Sequence, residues 1–279
     1  MSALGISNLA WTREHDAAVA ELLADAGVRS IDVAPGRYVE RLPDWTRDEA
    51  EAVRRFWSDR GVGIHGAQAL FHGSHGVALF ADDAARDALL RHLELVLGFG
   101  GALGATRAVF GSPALRRRGG LAPEHAQAIG IDVLRRAGDL AARHGIVLCI
   151  EPNPAIYGCD FLTDHGETAA FVRACAHPSI RMQFDLGALI ANDEDLAAGW
   201  TDWSDLVAHA HLSEPHLPTF GGGATKAQVH RVLGAALRGR WSSLVPTLEM
   251  LPPADGGDPV EAVAAAIRLA REHYVGAPP

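Results

Sequence analysis

Short apolar runs alternate with longer amphipathic segments along the whole of this 279-residue chain. Eight runs have the length and composition of buried β-strands, and eight intervening segments have the apolar spacing that is typical of α-helices. The predicted strands are 4–10, 30–33, 63–66, 106–110, 147–151, 180–185, 207–212 and 244–249. The predicted helices are 16–26, 48–59, 83–97, 123–144, 164–175, 195–203, 225–238 and 259–273.

This alternation predicts a closed (β/α)₈ TIM barrel, because each right-handed crossover lays the next strand parallel to the last. The competing doubly wound sheet would carry a glycine-rich fingerprint after its first strand. The sequence at 7–11, SNLAW, has no such fingerprint. We therefore predict a single catalytic domain over residues 1–279.

Glycines mark several predicted helix ends. Gly27, Gly61 and Gly145 each follow a helical pattern and precede a strand, as expected of residues that end helices in a left-handed conformation. The glycine-rich run at 98–101, GFGG, is also expected to form a helix cap and a turn.

Acidic residues outnumber basic ones by 34 to 25, which gives a formal net charge of −9. Such a chain repels a phosphate backbone, so we expect no nucleic-acid partner. Lys226 is the single lysine, which leaves a Schiff-base mechanism only one candidate residue. A class I aldolase is therefore not expected.

The cysteines and the N-terminus bear on the cell compartment. Cys149, Cys159 and Cys175 form neither an even set nor a CxxC pair, so a disulfide framework and a thiolate zinc site are not expected. Residues 1–11 lack the basic and apolar segments of a signal peptide, and no apolar run approaches about 18 residues. We expect a cytoplasmic protein without membrane contact. A homo-oligomer is compatible with the exposed helices of a barrel.

Four titratable residues stand at the C-terminal ends of four consecutive predicted strands: Glu151, Asp185, His211 and Glu249. In a barrel these ends converge on the face where active sites are built. Three carboxylates buried together repel one another unless protons or a cation offset their charge. One shared divalent ion explains all of them. Oxygen and imidazole ligands suit Mn²⁺, Mg²⁺, Co²⁺ or Zn²⁺, and we take Mn²⁺ as the first choice.

Residues two positions earlier on a strand point the same way as the strand-end residues. This places Gln183 and His209 behind the expected ligands. We expect both to support the ligands rather than bind the ion, and His211, nearer the strand end, to be the ligating histidine.

An ordered set of short motifs, CIEPN at 149–153, FD at 184–185, HAHL at 209–212 and LEM at 248–250, resembles the xylose isomerase-like sugar phosphate isomerase/epimerase superfamily. The resemblance covers nearly the whole chain in the order and spacing of its strands. It implies a TIM barrel in which one divalent metal is bound by Glu151, Asp185, His211 and Glu249. The metal motif is nearest to that of the ketose 3-epimerases.

The resemblance also implies a reaction. The metal would hold the carbonyl and an adjacent hydroxyl of a keto-sugar and stabilise an enediolate. Glu151 and Glu249 would then act as acid and base, removing a proton on one face and returning it on the other. Return to the same carbon epimerises the sugar, and return to the neighbouring carbon isomerises it. The chain departs from the ketose 3-epimerases at Ala188 and Leu217, where a substrate-binding histidine and arginine are usual, which argues against a free ketohexose.

Further residues are candidate contacts for a small carbohydrate substrate. His65 and Gln68 follow the third predicted strand, Asn153 follows the fifth, and His216 lies in the loop after the seventh. Three glycines at 221–223 in that loop are expected to give a substrate-covering lid its hinge freedom, with Phe220 facing the bound sugar.

The basic run Arg116, Arg117 and Arg118 follows the fourth predicted strand. We interpret it as a solvated group of charges. The alternative is a site that receives a phosphate or a carboxylate.

Three other functions remain open. A lyase could use the same metal site to dehydrate a keto-polyol, because an enolate can expel a β-hydroxyl as well as be reprotonated. An apurinic endonuclease shares the architecture but needs extra ligands for three zinc ions and a basic DNA-binding face. A noncatalytic sugar-binding barrel would keep the metal without turning over a substrate.

Overall fold

Within residues 4–241 and 244–275, which the computed structural model describes, eight parallel strands close into a barrel in chain order. Each strand pairs with the next, and the last pairs with the first to complete the ring. The predicted TIM barrel is confirmed. The strands are β1 (Gly5–Ser7), β2 (Ser30–Val33), β3 (Gly63–Ala67), β4 (Arg107–Phe110), β5 (Val147–Ile150), β6 (Ile180–Asp185), β7 (Val207–Leu212) and β8 (Pro246–Leu248).

Nine α-helices lie in the same described part of the chain. The six-residue α6 follows β6 directly and was not predicted, because so short a segment shows no helical period. The helices are α1 (Asp16–Asp25), α2 (Arg47–Ser58), α3 (Asp83–Leu103), α4 (Pro123–Arg143), α5 (His165–Cys175), α6 (Leu186–Ala191), α7 (Leu196–Trp203), α8 (Ala227–Leu237) and α9 (Pro259–Ala270). Among the described helices, none combines the length and the apolar character that crossing a membrane requires.

Three of the predicted strands agree with the structure at both ends. Strands β2, β6 and β7 have the predicted bounds. At its start the barrel uses a shorter strand than predicted, because Ser7 Oγ accepts from the backbone N of Leu9 and the chain turns into the single-turn helix Asn8–Ala10.

The glycine-rich run at 98–101 lies inside α3, so the predicted helix cap at this place is wrong. A Cβ at Gly101 would lie 3.0 Å from the carbonyl oxygen of His144, and a Cβ at Gly100 would lie 3.4 Å from Ala67 Cβ. These glycines therefore allow close approach between α3 and its neighbours. The helix ends instead at Gly104, whose φ of 107° is left-handed.

The three other predicted helix ends are confirmed. Gly27, Gly61 and Gly145 follow α1, α2 and α4 and have φ values of 64°, 72° and 68°. Residues with a Cβ pay a steric penalty in this left-handed region. Each glycine therefore lets the chain leave a helix and enter the next strand.

Polar side chains fill the inside of the barrel. Asp32 of β2 and His209 of β7 are joined by a hydrogen bond although their strands are not neighbours, so the bond must cross the barrel interior. Gly5 of β1 leaves room for Thr247 of β8, since a Cβ there would lie 2.8 Å from the threonine Oγ1. The interior thus provides a buried polar floor beneath the C-terminal ends of the strands.

Candidate metal centre

The four residues predicted to bind a metal meet at the C-terminal face of the barrel. Glu151 directly follows β5, Asp185 ends β6, His211 lies near the end of β7, and Glu249 directly follows β8. One ligand atom from each lies within 4.8 Å of the others. His211 Nδ1 is 3.2 Å from Glu249 Oε2 and 3.8 Å from Glu151 Oε1.

Hydrogen bonds hold two of these carboxylates in place. Asn153 Nδ2 donates to Glu151 Oε2 at 2.9 Å. Gln68 Nε2 donates to Glu249 Oε1 at 2.5 Å from the loop after β3. In each glutamate the second oxygen is therefore turned toward His211.

Asp185 is fixed by α6, which it caps, and by a residue that directly follows β7. Its Oδ1 accepts from the backbone N of Ala188 at 2.6 Å and so caps α6. Its Oδ2 accepts from Ser213 Oγ at 2.9 Å. The backbone turn from β6 into α6 thus orients the aspartate.

The electrostatics of this cluster favour a cation. Burial and the charges of Glu249 and Asp185 raise the pKa of Glu151 to about 8. Burial and the charge of Glu249 also raise the pKa of Asp185. Burial lowers the pKa of His211, but the charge of Glu249 and the hydrogen bond to Asp32 outweigh it and raise this pKa well above its usual value. The three carboxylates repel one another, and a divalent ion would offset this repulsion. Carboxylate oxygens and an imidazole nitrogen are also the ligands that such an ion prefers.

A cavity of about 330 Å³ opens above the cluster. Its walls combine three of the predicted ligands with apolar and aromatic side chains, as expected of a small-molecule site. The lining residues are Pro113, Glu151, Pro152, Asn153, Tyr157, Asp185, Glu214, His216, Leu217 and Glu249.

The four predicted substrate contacts are divided between the cavity and the residues behind it. Asn153 and His216 line the cavity. Gln68 is buried and bonded to Glu249, while the ring of His65 lies beside that of His209, with centroids 5.8 Å apart. The substrate-binding roles of all four stay predictions.

Gln183 and His209 both lie against the ligand set. With its amide oxygen turned toward His211, Gln183 is 3.2 Å from the backbone N and 3.1 Å from Nδ1 of that residue. His209 Nε2 is 2.5 Å from Asp32 Oδ2. Their supporting roles remain predictions, and Asp32 is a residue that the sequence reasoning missed. Its signal was an acidic residue within the apolar strand sequence SIDV.

Two cavity residues were also missed. Tyr157 lies in the loop after β5, and its OH accepts from the backbone N of His216 at 3.1 Å. Their rings meet edge to face with centroids 5.3 Å apart. Leu217 completes this wall. The loops after β5 and β7 therefore meet at the rim of the cavity.

Glu214 is the second missed residue and is buried beneath the loop after β7. His230 Nε2 lies 3.3 Å from Glu214 Oε1, and the backbone N of Gly221 donates to the same oxygen at 2.5 Å. Burial acts against the charged carboxylate, but the hydrogen bonds from His230 and Gly221 outweigh it and lower the pKa of Glu214. His230 Nδ1 is in turn 2.8 Å from Tyr274 OH. This series of contacts connects the cavity wall to the helical turn Arg271–Val275 that follows α9.

The glycines at 221–223 lie beside neighbouring side chains, and their role as a hinge stays a prediction. A Cβ on any of them would come within 3.0 Å of another atom: of Leu269 at Gly221, of Thr219 at Gly222, and of Glu214 and Pro218 at Gly223. Phe220 is buried against the rings of His230 and Tyr274 and does not face the cavity.

The interpretation of the basic run as solvated is wrong for Arg116, which is fully buried. Arg117 Nε donates to the carbonyl of Gly158 at 2.9 Å, and Arg118 Nε donates to the carbonyl of Asp160 at 2.6 Å. Arg117 and Arg118 therefore tie the loop after β4 to the loop after β5.

A family model described as xylose isomerase-like TIM barrel matches residues 20–271. The chain belongs to this family. The match spans both helical and strand elements from α1 to the end of α9 and includes all four residues of the candidate metal centre. The family assignment thus agrees with the resemblance carried by the strand-end motifs.

Solved structures share the fold across nearly their whole length. A D-psicose 3-epimerase determined in the presence of D-fructose has a TM-score of 0.76 and 18% identity, covering 98% of this chain and 99% of that one. The 3-keto-D-glucoside 4-epimerase YcjR from E. coli has a TM-score of 0.75 and 17% identity, covering 98% and 100%. The IolI protein with a bound zinc atom has a TM-score of 0.72 and 15% identity, covering 98% and 99%. No curated protein sequence matches this chain.

Proposed function

We propose that this member of the family is a divalent-metal-dependent isomerase or epimerase of a keto-sugar or a sugar derivative. The observation that carries the proposal is the placement of two glutamates in one cavity. Glu151 and Glu249 approach His211 Nδ1 from β5 and β8, at 3.8 and 3.2 Å. Two carboxylates at a shared site are what a reaction needs if a proton is to be taken from one side and returned from the other.

We propose that Glu151, Asp185, His211 and Glu249 hold the ion, with Mn²⁺ as the first choice. The donor set fits, since carboxylate oxygens and imidazole suit this class of cation. A bound divalent ion would supply Lewis-acid stabilisation of negative charge on a substrate oxygen. Because the four groups must be deprotonated to bind it, binding also releases the protons that repulsion holds on the metal-free carboxylates.

The protein residues carry out the proton transfers in this proposal. Either Glu151 or Glu249 accepts a proton from the carbon next to the substrate carbonyl, and the other donates a proton to the opposite face. Asn153 and Gln68 each hold one glutamate oxygen by a hydrogen bond, which leaves the other oxygen facing the cluster. Such positioning supplies much of the rate gain in proton transfer.

The substrate is a small carbohydrate in this proposal. The structural neighbours include proteins described as D-psicose 3-epimerase and 3-keto-D-glucoside 4-epimerase. Leu217 and Tyr157 make part of the cavity wall apolar and aromatic. This wall suits the carbon face of a sugar or an apolar substituent on it better than a ring of free hydroxyls.

The first test is elemental analysis of purified protein, with Asp185→Ala and His211→Ala beside the wild type after chelation and reloading with Mn²⁺. We expect about one tightly held ion per chain in the wild type, lost in both variants. Glu51→Gln, on the exposed surface of α2, is the control and keeps the ion. No specific ion in the wild type contradicts the proposal, and two or three zinc ions would favour a nuclease.

The second test is deuterium uptake from heavy water into candidate keto-sugars. The wild type is expected to label the carbon next to the carbonyl, and Glu151→Gln to lose this labelling while still binding sugar. Unchanged turnover in Glu151→Gln refutes the assigned role. Loss of water with a new ultraviolet-absorbing enone would identify a dehydratase instead.

A further inference from the structure

We propose that Asp32, inside the barrel, is a positioning residue that fixes the ring tautomer of His211 and so presents its Nδ1 lone pair to the metal. This inference rests on the proposed metal-dependent function. It concerns a residue that binds neither the ion nor the sugar, and it follows from contacts on the far side of the ligand histidine.

The His211 ring connects two environments. Its Nδ1 faces Glu249 and Glu151 at the cavity, while its Nε2 lies 3.4 Å from Asp32 Oδ2 on the interior side. Asp32 is fully buried. An ionised carboxylate accepts hydrogen bonds and cannot donate them. A proton on Nε2 satisfies this contact, and Nδ1 is then the nitrogen with a free lone pair.

The barrel provides a dedicated space for this carboxylate. In the register of β2 and β3, Asp32 pairs with Gly66. A Cβ at Gly66 would come within 3.0 Å of Oδ1, Cγ and Oδ2 of Asp32. Any residue other than glycine there would displace the carboxylate, so the strand opposite Asp32 is shaped around its side chain.

His209 fixes the same carboxylate from a second direction. Its Nε2 is 2.5 Å from Asp32 Oδ2, the oxygen that also faces His211. Both rings come from β7, two residues apart on one face of the strand. Asp32 is therefore held at the point where it meets the ligand histidine.

Gln183, on the other side of the His211 ring, has a fixed orientation. Its amide nitrogen lies 3.3 Å from the carbonyl of His209, and its amide oxygen lies 3.2 Å from the backbone N and 3.1 Å from Nδ1 of His211. An acceptor beside Nδ1 does not place the ring proton on Nε2, so Gln183 cannot produce the metal-binding tautomer. Asp32 has only acceptors, so a deprotonated Nε2 would place two acceptors against each other. The metal-binding tautomer thus depends on Asp32.

The test is Mn²⁺ binding to chelated wild-type protein, to Asp32→Asn and to Asp16→Asn, measured by calorimetry. An asparagine at 32 can donate as well as accept, so both ring tautomers become populated. We expect the Kd for Mn²⁺ to rise about 10- to 100-fold in Asp32→Asn. Asp16 is a buried carboxylate that accepts a hydrogen bond from Trp11 at 2.7 Å. Asp16→Asn therefore removes one buried charge away from the metal centre, and we expect this control to keep the wild-type Kd for Mn²⁺.

A second readout uses the wild type alone and so does not depend on the folding of a variant. Protein with ¹⁵N-labelled histidine is loaded with Zn²⁺, a closed-shell ion that leaves the nuclear magnetic resonance spectrum sharp. The long-range ¹H–¹⁵N correlations of His211 are expected to show a proton on Nε2. A proton on Nδ1, with Nε2 bound to the metal, overturns the proposal.

The outcomes separate this inference from the proposed function. A folded Asp32→Asn with unchanged Mn²⁺ affinity overturns the inference alone. A second ion per chain that is lost in Asp32→Asn also overturns it, because Asp32, His209 and His211 would then be ligands of their own site. A wild type that binds no divalent ion contradicts the proposed function itself.

Discussion

Gly111→Ala is expected to disable the candidate metal centre while leaving the fold intact. Gly111 directly follows β4, and a Cβ there would come within 3.0 Å of Glu151 Oε2. The φ of Gly111 is outside the left-handed region, so alanine adopts the same backbone. The atom in its way is the far end of a flexible side chain, which can move.

The size of the effect follows from this collision. To reach ordinary van der Waals contact of about 3.5 Å, the carboxylate of Glu151 must move by roughly 1 Å. Metal–ligand distances tolerate only about 0.2 Å, and a misplacement of about 1 Å costs roughly 100-fold in rate. The same movement strains the hydrogen bond from Asn153. We expect Mn²⁺ affinity to fall about 10-fold or more and turnover to fall roughly 100-fold.

The free energy of unfolding of Gly111→Ala is expected to rise slightly or to stay the same. Replacing glycine by alanine reduces the entropy of the unfolded chain, which contributes about 0.4–1 kcal/mol to stability where the backbone is compatible. The assay compares Mn²⁺ titration, deuterium uptake and urea unfolding. Gly120→Ala is the matched control, because a Cβ at this glycine in the loop after β4 meets nothing within 4 Å. Wild-type metal affinity in Gly111→Ala would refute the reasoning.

Three further predictions concern the pH dependence of stability, the cavity rim at Tyr157, and the buried pair of Glu214 and His230. Because the pKa of Glu151 in the metal-free protein is raised from 4.5 to about 8, the folded state binds a proton that the unfolded chain has lost between these values. Urea unfolding of chelated protein should therefore show stability falling as pH rises through this window, with Glu151 contributing up to about 1.4 kcal/mol per pH unit and the raised pKa values of Asp185 and His211 acting in the same direction; a rise contradicts it. Tyr157→Phe removes the acceptor for the His216 amide, worth about 0.5–1.5 kcal/mol, and should raise KM several-fold with little change in kcat; equal KM values would show that this bond does not shape the cavity. Glu214→Gln should cost about 1–3 kcal/mol in thermal unfolding, because His230 loses its charged partner, and an unchanged Tm argues against that pairing.

The spacing of apolar residues along the sequence predicted most of the fold, because a TIM barrel repeats one strand–helix unit. Each apolar run bounded by turn residues becomes a strand, and each strand end points to the same face. That is why Glu151, Asp185, His211 and Glu249 could be grouped without knowing any distance between them. Their common position at strand ends was sufficient to predict that they lie close together.

Contacts across the barrel could not be predicted in the same way. Asp32 meets His209 over a separation of 177 residues, and the contact depends on the stagger of strands that are not neighbours. Arg116 was misjudged because a run of three arginines reads as solvated, whereas the turn after β4 buries its first member. The glycines at 98–101 were misjudged because close helix packing and helix termination both favour glycine.

The contact between the loops after β5 and β7 has a consequence for how a sugar reaches the cavity. Moving the loop after β7 would separate Glu214 from His230 and expose a buried carboxylate, which costs free energy. The single-turn helix Ala155–Tyr157, which meets that loop at the rim, carries Ile156 with 56% of its surface exposed. Passage of substrate and product beside this helix leaves the buried Glu214 and His230 in place.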